Sequence, residues 1–564
     1  MRAGLRWLVL CAVLVACVAL GYGAYALAGL SWDAVVSYRS PYAAIPLPES
    51  SGESAEESLT VLVIVDGLTV DASKKMGTLN ALRKHGADLE LVAPQPSLSY
   101  PNWTTLLSGA PPYVSGVVTN WHEGPAPIET LFGAAARAGV RTVFVGPEDF
   151  EQLYGVRQKC VATYMKKWDE EYLSAEYVDA AVRIARQEKP QLLVLHLPDV
   201  DEAGHARGSA STQYAEVVSR VNTDLNRLVQ ELQDGKTDFV ITADHGHIAT
   251  GGHGGWEPSA TTVPGVFVGP DIRMSKGVGT SEDVAPTVAV LAGIPVPRHA
   301  LGHPLEQVLG SRAATAVADA RSAYESFETA YVREVTAPLG QDPAGATAVA
   351  QTSAEEDGLS LEAAGEARLA FDRRQRATTG ILALLACLAV LTLVGAVSWP
   401  ALAAALSGAA AYFVVYNTLF FLVHRYAWSL SAFNSEDRIT AWMNGRLIEA
   451  AVAGVVGAAV AGFVYPYLRE HPRQPVGEYL AGWLTLGPAT MLTVLALLGI
   501  QIAWFLWAWG IDPTWRLPDL MWAFKYDLDL IQATAVGFVA VVTPVVTYLV
   551  GRYHPRLRPS QIEE

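Results

Sequence analysis

Aspartates and histidines recur at short spacings in the first half of this chain: Asp66, then Asp199, Asp201 and His205, then Asp244, His245 and His247, then His253. Five of the twelve histidines fall between residues 196 and 253, which concentrates imidazole where the carboxylates are. Oxygen and imidazole donors without thiolate suit zinc or manganese, and suit an all-oxygen calcium site poorly. Asp201 and His205, four residues apart, could converge on one ion from a loop entering a helix. Asp244 and His245 are adjacent, so their side chains would diverge on a regular strand; they can share an ion only where the strand ends and bends, as Gly246 permits. The glycines at 251, 252, 254 and 255 around His253 would let backbone approach a ligand closely. An ordinary flexible loop is the plainer reading of that stretch alone, as a chance gathering of loop histidines is of the whole set.

Such ligands need elements that bring them together. Residues 61–65 form a continuous apolar, β-branched run that ends at Asp66, as expected of a strand buried on both faces. Similar runs at 142–145, 192–197, 239–242 and 266–268 alternate with helical patterns at 72–85, 128–138, 175–187 and 212–233. The alternation predicts an α/β domain with a mostly parallel central sheet over residues 60–310, its sites at the carboxyl ends of strands. His196, inside an apolar run, reads as a core histidine; Asp199 and His247 read as supports of the ligands or of the substrate, and Cys160 as structural.

Beyond residue 377 apolar runs dominate, so the chain is expected to add an α-helical transmembrane domain. At about 20 apolar residues per span, residues 7–30 read as an N-terminal anchor, with a cleaved signal peptide as the rival reading. About five further spans fall within 377–552, at 378–397, 400–423, 447–468, 479–509 and 530–551. Residues 31–59 are then a linker, 311–376 a helical stalk and 553–564 a cytoplasmic tail. Arg2, Arg6, Arg469, Arg473, Arg552, Arg556 and Arg558 share one side, which predicts an integral protein of a bacterial plasma membrane with both termini cytoplasmic and the α/β domain outside. Arg373, Arg374 and Arg376 fall on the opposite side and are expected to rest on anionic lipid headgroups. Glu449, near the start of a span, either faces a polar cavity or caps a helix at the headgroups. The Trp- and Tyr-rich loops 424–446 and 511–529 belong on the side of the α/β domain. A net charge of −16 without clustered Lys and Arg argues against a nucleic-acid binder.

The order Asp66, Ser99, Asp201-x-x-x-His205, Asp244-His245, His253 resembles the alkaline phosphatase superfamily over residues 60–310, as does the closing segment Ser281-Glu282-Asp283-Val284-Ala285-Pro286-Thr287. The resemblance implies that superfamily's α/β sandwich and two divalent metal ions, zinc with manganese as the alternative. One ion would sit on Asp201, His205 and His253, the other on Asp66, Asp244, His245 and the Ser99 hydroxyl. Ser99, in Ser99-Tyr100-Pro101-Asn102-Trp103, matches the nucleophile segment of the type I phosphodiesterase/nucleotide pyrophosphatase branch, and Leu107-Ser108-Gly109-Ala110-Pro111-Pro112 is similar to the stretch after the nucleophile in that branch. A serine hydroxyl is a weak nucleophile near neutral pH, and coordination to a cation lowers its pKa. Asn102 is expected to donate to an equatorial oxygen of the transition state, a turn role after Pro101 being the alternative. Trp103 stands where a sulfatase would carry Arg, which argues against that branch. The eight-residue step from His245 to His253 and the polytopic half are instead similar to the ethanolamine-phosphate transferases of glycolipid anchors.

Together these likenesses imply a membrane-bound, metal-dependent phosphodiesterase or phosphoric ester hydrolase acting outside the cytoplasm through a phosphorylated Ser99. The alternative is a phosphoethanolamine-type phosphotransferase acting on a lipid-linked glycan or lipid headgroup. Water resolving the intermediate gives the first, and a sugar or lipid hydroxyl the second. A non-catalytic metal-binding membrane scaffold is the reading of another class. The expected partners are a phosphoester substrate and membrane lipids, with no nucleic acid; no feature names a protein partner.

Overall fold

The computed structural model describes residues 2–46, 58–167, 172–310, 314–341, 361–433, 438–468 and 476–554. Eight strands form one sheet: β1 (Leu59–Val65), β2 (Ala87–Val92), β3 (Thr142–Pro147), β4 (Ala162–Lys166), β5 (Leu192–Leu197), β6 (Thr237–Thr242), β7 (Thr262–Val268) and β8 (Ser275–Thr280). Their spatial order is β4-β3-β5-β1-β6-β7-β2-β8. Every pairing is parallel except those of β7, which runs against both β6 and β2. β3, β5 and β6 are buried throughout, as is β1 after Leu59, so unbroken apolar runs mark them in the sequence. β7 is likewise buried after Thr262 and ends in the apolar run at 266–268, whereas the other three strands give no such signal. β2 alternates buried with more exposed residues, β4 is half-buried throughout, and β8 is a largely exposed edge.

The helices that position the site are α1 (Arg2–Val36), α2 (Ser99–Ser108), α3 (Ser174–Glu188), α4 (Asp199–Arg207) and α5 (Thr212–Leu232). α5 buries Tyr214, Val218, Val221, Leu225, Leu228, Val229 and Leu232, a three-to-four-residue spacing that puts one stripe on the core. Each such aliphatic side chain contributes about 1.5–3 kcal/mol. The start of this helix also pins the end of β1: the Tyr214 hydroxyl donates to the Gly67 carbonyl at 2.7 Å and accepts from the Thr69 N–H at 3.1 Å.

The second half is helical: α6 (Ala314–Thr336), α7 (Leu361–Val397), α8 (Trp399–Asn417), α9 (Ile439–Leu468), α10 (Val476–Ala508), α11 (Leu520–Val539) and α12 (Thr543–Arg552). Five helices, α1 among them, are long and apolar enough to cross a membrane, or up to six if α11 and α12, bent by 62°, make one span. The chain is an integral membrane protein. α1 packs into this bundle, where Cys17 is fully buried and a Cβ on Gly21 would lie 2.9 Å from the Gly537 Cα of α11. α8 and α9 approach as closely, since a Cβ on Gly457 would lie 2.7 Å from the Gly408 carbonyl oxygen. Small residues allow such backbone contact where no hydrophobic drive separates helix from lipid.

Several expectations for this half change. The segment expected as a helical stalk is helical in α6 and the start of α7, and it is packed: Phe327, Tyr331 and Val335 of α6 lie with Tyr42, Ala110, Val114, Leu301 and Trp515. Arg376 does not reach for lipid headgroups. Its guanidinium caps α10, donating to the carbonyls of Trp507 at 3.0 Å, Ala508 at 3.1 Å and Trp509 at 2.8 Å, while Arg373 lies over the Trp507 and Trp509 rings. The last carbonyls of a helix lack intrahelical donors, so a half-buried cation there is well placed. Glu449 does not cap a helix: from within α9 it accepts from His424 at 2.7 Å and Arg446 at 2.5 Å. The linker at 47–57, residues 342–360, and the topology-marking Arg469, Arg473, Arg556 and Arg558 lie outside the described residues.

Candidate metal centre and nucleophile

Three neighbouring strands, β5, β1 and β6, carry the polar cluster at their carboxyl ends. β1 ends at Asp66, whose N–H bonds the Leu197 carbonyl of β5 at 3.0 Å. Gly67 then takes φ 70°, and a Cβ there would lie 2.7 Å from the Asp201 Cα, so only glycine lets the chain leave β1 beneath α4. α4 presents Asp201 and His205 one turn apart, and β6 runs into Asp244, His245 and the loop to His253.

His245 Nε2 lies 3.4 Å from Asp66 Oδ1, 3.4 Å from Asp244 Oδ2 and 3.3 Å from Ser99 Oγ. Beside this group, His205 Nε2 is 3.3 Å from Asp201 Oδ2 and 3.1 Å from His253 Nε2. The His245 and His253 rings stack at 3.7 Å, so the two groups adjoin. Donors at the corners of a tetrahedron centred on zinc, with bonds near 2.1 Å, stand roughly 3.4 Å apart. The observed separations are of that size. Asp66 Oδ1 and Asp244 Oδ2 are buried and make no hydrogen bond among the described residues, although both face His245. Buried oxygens without donors are costly unless a cation meets them. The donor set therefore fits divalent metal, and the cluster could hold it.

The imidazoles are prepared for the same task. His253 Nδ1 donates to the Ser97 carbonyl at 2.8 Å and His245 Nδ1 to the Gly246 carbonyl at 3.2 Å, which turns both Nε2 lone pairs into the cluster. Burial holds His253 well below its ordinary pKa, with the charge of His245 adding to the effect. Burial, together with the neighbouring Asp244 and Asp201 carboxylates, pushes Asp66 well above the carboxylate range. Burial would raise Asp201 too, but His205 and His247 outweigh it and hold that carboxyl well below.

Ser99 is the first residue of α2, with its hydroxyl at the helix end that favours anions. Trp103 anchors this helix, fully buried against Phe150 at 4.9 Å and His196 at 4.8 Å. Asn102 Nδ2 donates to the carbonyls of Pro96 at 3.0 Å and Leu98 at 3.1 Å, which matches the alternative reading of this residue as part of a turn. A second amide beside the Ser99–Tyr100 backbone is that of Asn120, whose Oδ1 accepts the Tyr100 N–H at 3.0 Å and whose nitrogen makes no hydrogen bond among the described residues. No local pattern singled it out, because a turn asparagine is common and its neighbour lies 20 residues away.

Three flanking residues acquire definite places. His247 accepts from the Gly252 N–H at Nδ1, 3.2 Å, and therefore donates from Nε2 to Asp201 Oδ1 at 2.6 Å. His196 is buried as expected of a core residue, yet its Nε2 lies 3.0 Å from Asp66 Oδ2, leaving Oδ1 to the cluster. Asp199 accepts the N–H groups of Leu173 and Ser174, both at 2.8 Å, at the start of α3.

Residues 60–255 match the family model for type I phosphodiesterase / nucleotide pyrophosphatase. GPI ethanolamine phosphate transferase 1 of Mus musculus is 24% identical over 252 residues, covering 37% of this chain and 27% of that protein. The catalytic subunit of GPI ethanolamine phosphate transferase 2 of Homo sapiens is 24% identical over 306 residues, covering 47% of this chain and 30% of that protein. Less than a third of each transferase's length is thus matched. Murine ectonucleotide pyrophosphatase / phosphodiesterase 5 superposes with a TM-score of 0.38 at 14% identity, covering 43% of this chain and 96% of that structure. The α/β part of the chain resembles the alkaline phosphatase superfamily, and stretches amounting to 37% and 47% of the chain resemble the two glycolipid-anchor transferases.

Proposed function

We propose that this chain, a phosphoester-processing membrane protein of alkaline phosphatase-like kind, moves a phosphoethanolamine-type group from a phosphodiester donor to the hydroxyl of a lipid-linked glycan or lipid headgroup. The reaction passes through a phosphorylated Ser99 on the extracytoplasmic face, in a catalytic domain spanning residues 60–310. One observation carries the reading: Ser99 Oγ, at the start of α2, lies 3.3 Å from His245 Nε2, which also faces the unpartnered oxygens of Asp66 and Asp244. Transfer is preferred to hydrolysis because the matched transferases share the phosphoester chemistry and because the chain devotes a polytopic half to the membrane. A phosphodiesterase is the second reading, favoured by the family model matched over residues 60–255.

Asp66, Asp244, His245 and Ser99 would hold one divalent ion, and Asp201, His205 and His253 the other, zinc with manganese as the alternative. Bound there, the pair supplies an acidified serine hydroxyl and neutralises charge at the leaving oxygen. Ser99 Oγ gives its proton to solvent and bonds to phosphorus as the donor's P–O bond breaks, and the departing alcohol takes a proton from water. The acceptor hydroxyl then forms the new P–O bond, and its proton returns to Ser99 as the Oγ–P bond breaks. Asn120, whose amide hydrogens remain available, donates to a non-bridging oxygen in both steps.

The test uses full-length protein in detergent micelles, loaded with zinc or manganese and given phosphatidylethanolamine radiolabelled at its phosphate. Label should appear covalently on wild type and not on Ser99→Ala, and a glycolipid acceptor should release it faster than water does. Release by water at an equal rate would move the assignment to a hydrolase. Absence of both labelling and diester cleavage despite bound metal would leave a scaffold.

A further inference from the structure

The loop that carries His253 has little rigidity of its own. Gly251, Gly252, Gly254 and Gly255 surround the imidazole, and the segment from Ile248 to Glu257 contains neither helix nor strand. Glycine-rich backbone loses more freedom on ordering than any other, so something outside the loop must hold it. On one side that is the segment before the nucleophile: Ser97 Oγ accepts from the Gly254 N–H at 2.9 Å and donates to the Gly255 carbonyl at 2.9 Å. On the other side it is the connection between α8 and α9, from the membrane half. Ser429 and Ser431, both buried, donate to the same Glu257 Oε2 at 2.9 and 2.8 Å, and the Gly255 N–H donates to Ser431 Oγ at 3.1 Å. The Trp256 indole donates to the Trp428 carbonyl at 2.9 Å. Gly254, at φ 98°, is gripped between the two: a Cβ there would lie 2.9 Å from Leu98 Cδ2 and 3.3 Å from Leu430 Cβ.

We infer that Glu257, Ser429 and Ser431 are positioning residues that hold the His253 loop in ligating geometry, so that the membrane half completes the metal centre of the α/β domain. Two hydroxyls on one carboxylate oxygen are charge-assisted bonds, stronger than neutral ones, and they fix the loop four residues beyond His253 while Ser97 fixes it beside the imidazole. Released from the serines, the glycine segment regains conformations in which His253 Nε2 no longer points at His205 and Asp201. The inference rests on the reading of His253 as a metal ligand.

The test titrates zinc, against a competing chelating dye, into metal-stripped full-length protein in detergent. Wild type should bind two equivalents, and His253→Ala should weaken one. Ser429→Ala/Ser431→Ala should weaken that same equivalent about tenfold, in the range for groups behind a ligand, and leave the other unchanged. Glu257→Ala, approaching from the opposite side, should give the same loss, and all three substitutions together no more than either set. Glu257→Gln, which retains an acceptor oxygen, should recover most of the affinity. If His253→Ala weakens one equivalent while the serine and Glu257→Ala variants, folded by circular dichroism, bind both as tightly as wild type, the inference falls and the metal reading stands. If His253→Ala itself binds both equivalents as wild type does, both fall.

Discussion

Asp201 accepts a hydrogen bond from His247 across 46 residues of sequence, with Oδ1 and Nε2 2.6 Å apart. Because the Gly252 N–H occupies Nδ1, the imidazole must carry its proton on Nε2, and the carboxylate is turned so that Oδ2 faces His205. His247 would thus act, through Asp201, on a metal held there. His247→Ala is expected to lower zinc affinity roughly 10- to 100-fold with little change in the other site, measured by competitive titration of stripped protein. Unchanged affinity would make His247 a packing residue only.

Metal removal should destabilise the α/β domain. Stripped of cations, Asp66, Asp201 and Asp244 remain buried together. At a thousandfold excess over its dissociation constant, each bound ion adds about 4 kcal/mol. With both ions removed, chelation should therefore lower the melting temperature of this domain by roughly 15–30 °C. Asp66→Asn, which removes one charge, should show a smaller loss on chelation. An equal loss would mean that carboxylate crowding is not what the metal relieves.

The two asparagines near Ser99 should separate cleanly. Asn120→Ala is expected to lower kcat about 10²- to 10³-fold with folding intact, as loss of an oxyanion donor does. Asn102→Ala should instead cost about 1–3 kcal/mol of stability by abandoning the Pro96 and Leu98 carbonyls. Denaturant midpoints and single-turnover rates on both variants decide it; the reverse pattern would restore Asn102 as the substrate-facing amide.

Burial pushes Asp238 on β6 up to about 7. A carboxyl raised in the folded state contributes most below its unfolded value near 4, and that contribution is lost as pH rises toward 7. Asp238→Asn keeps an acceptor for the Asp271 N–H but cannot ionise. Relative to wild type it should gain stability of order a few kcal/mol between pH 5 and about 8, and the two melting curves should converge near pH 4. Parallel curves across that range would show that Asp238 stays solvated.

The sequence by itself determined the strands that are buried on both faces, because burial on both sides demands the unbroken apolar runs ending at Asp66, Leu197 and Thr242. It also determined the inventory of carboxylates and imidazoles, since Asp66, Asp244 and His245 follow such runs, Asp201 and His205 lie on the helix after one, and His253 sits among glycines. Edge strands β4 and β8 were not legible, because an edge residue meets solvent and need carry no hydrophobic signature. Only the tertiary structure decided which partner each site residue takes: His247 for Asp201, His196 for Asp66, the Pro96 and Leu98 carbonyls for Asn102, and Asn120 for the backbone after Ser99. The tie from Glu257 to Ser429 and Ser431 spans over 170 residues and two architectures. Such pairings leave no trace in local spacing, because a single hydrogen bond constrains one atom on each side and neither residue's neighbours.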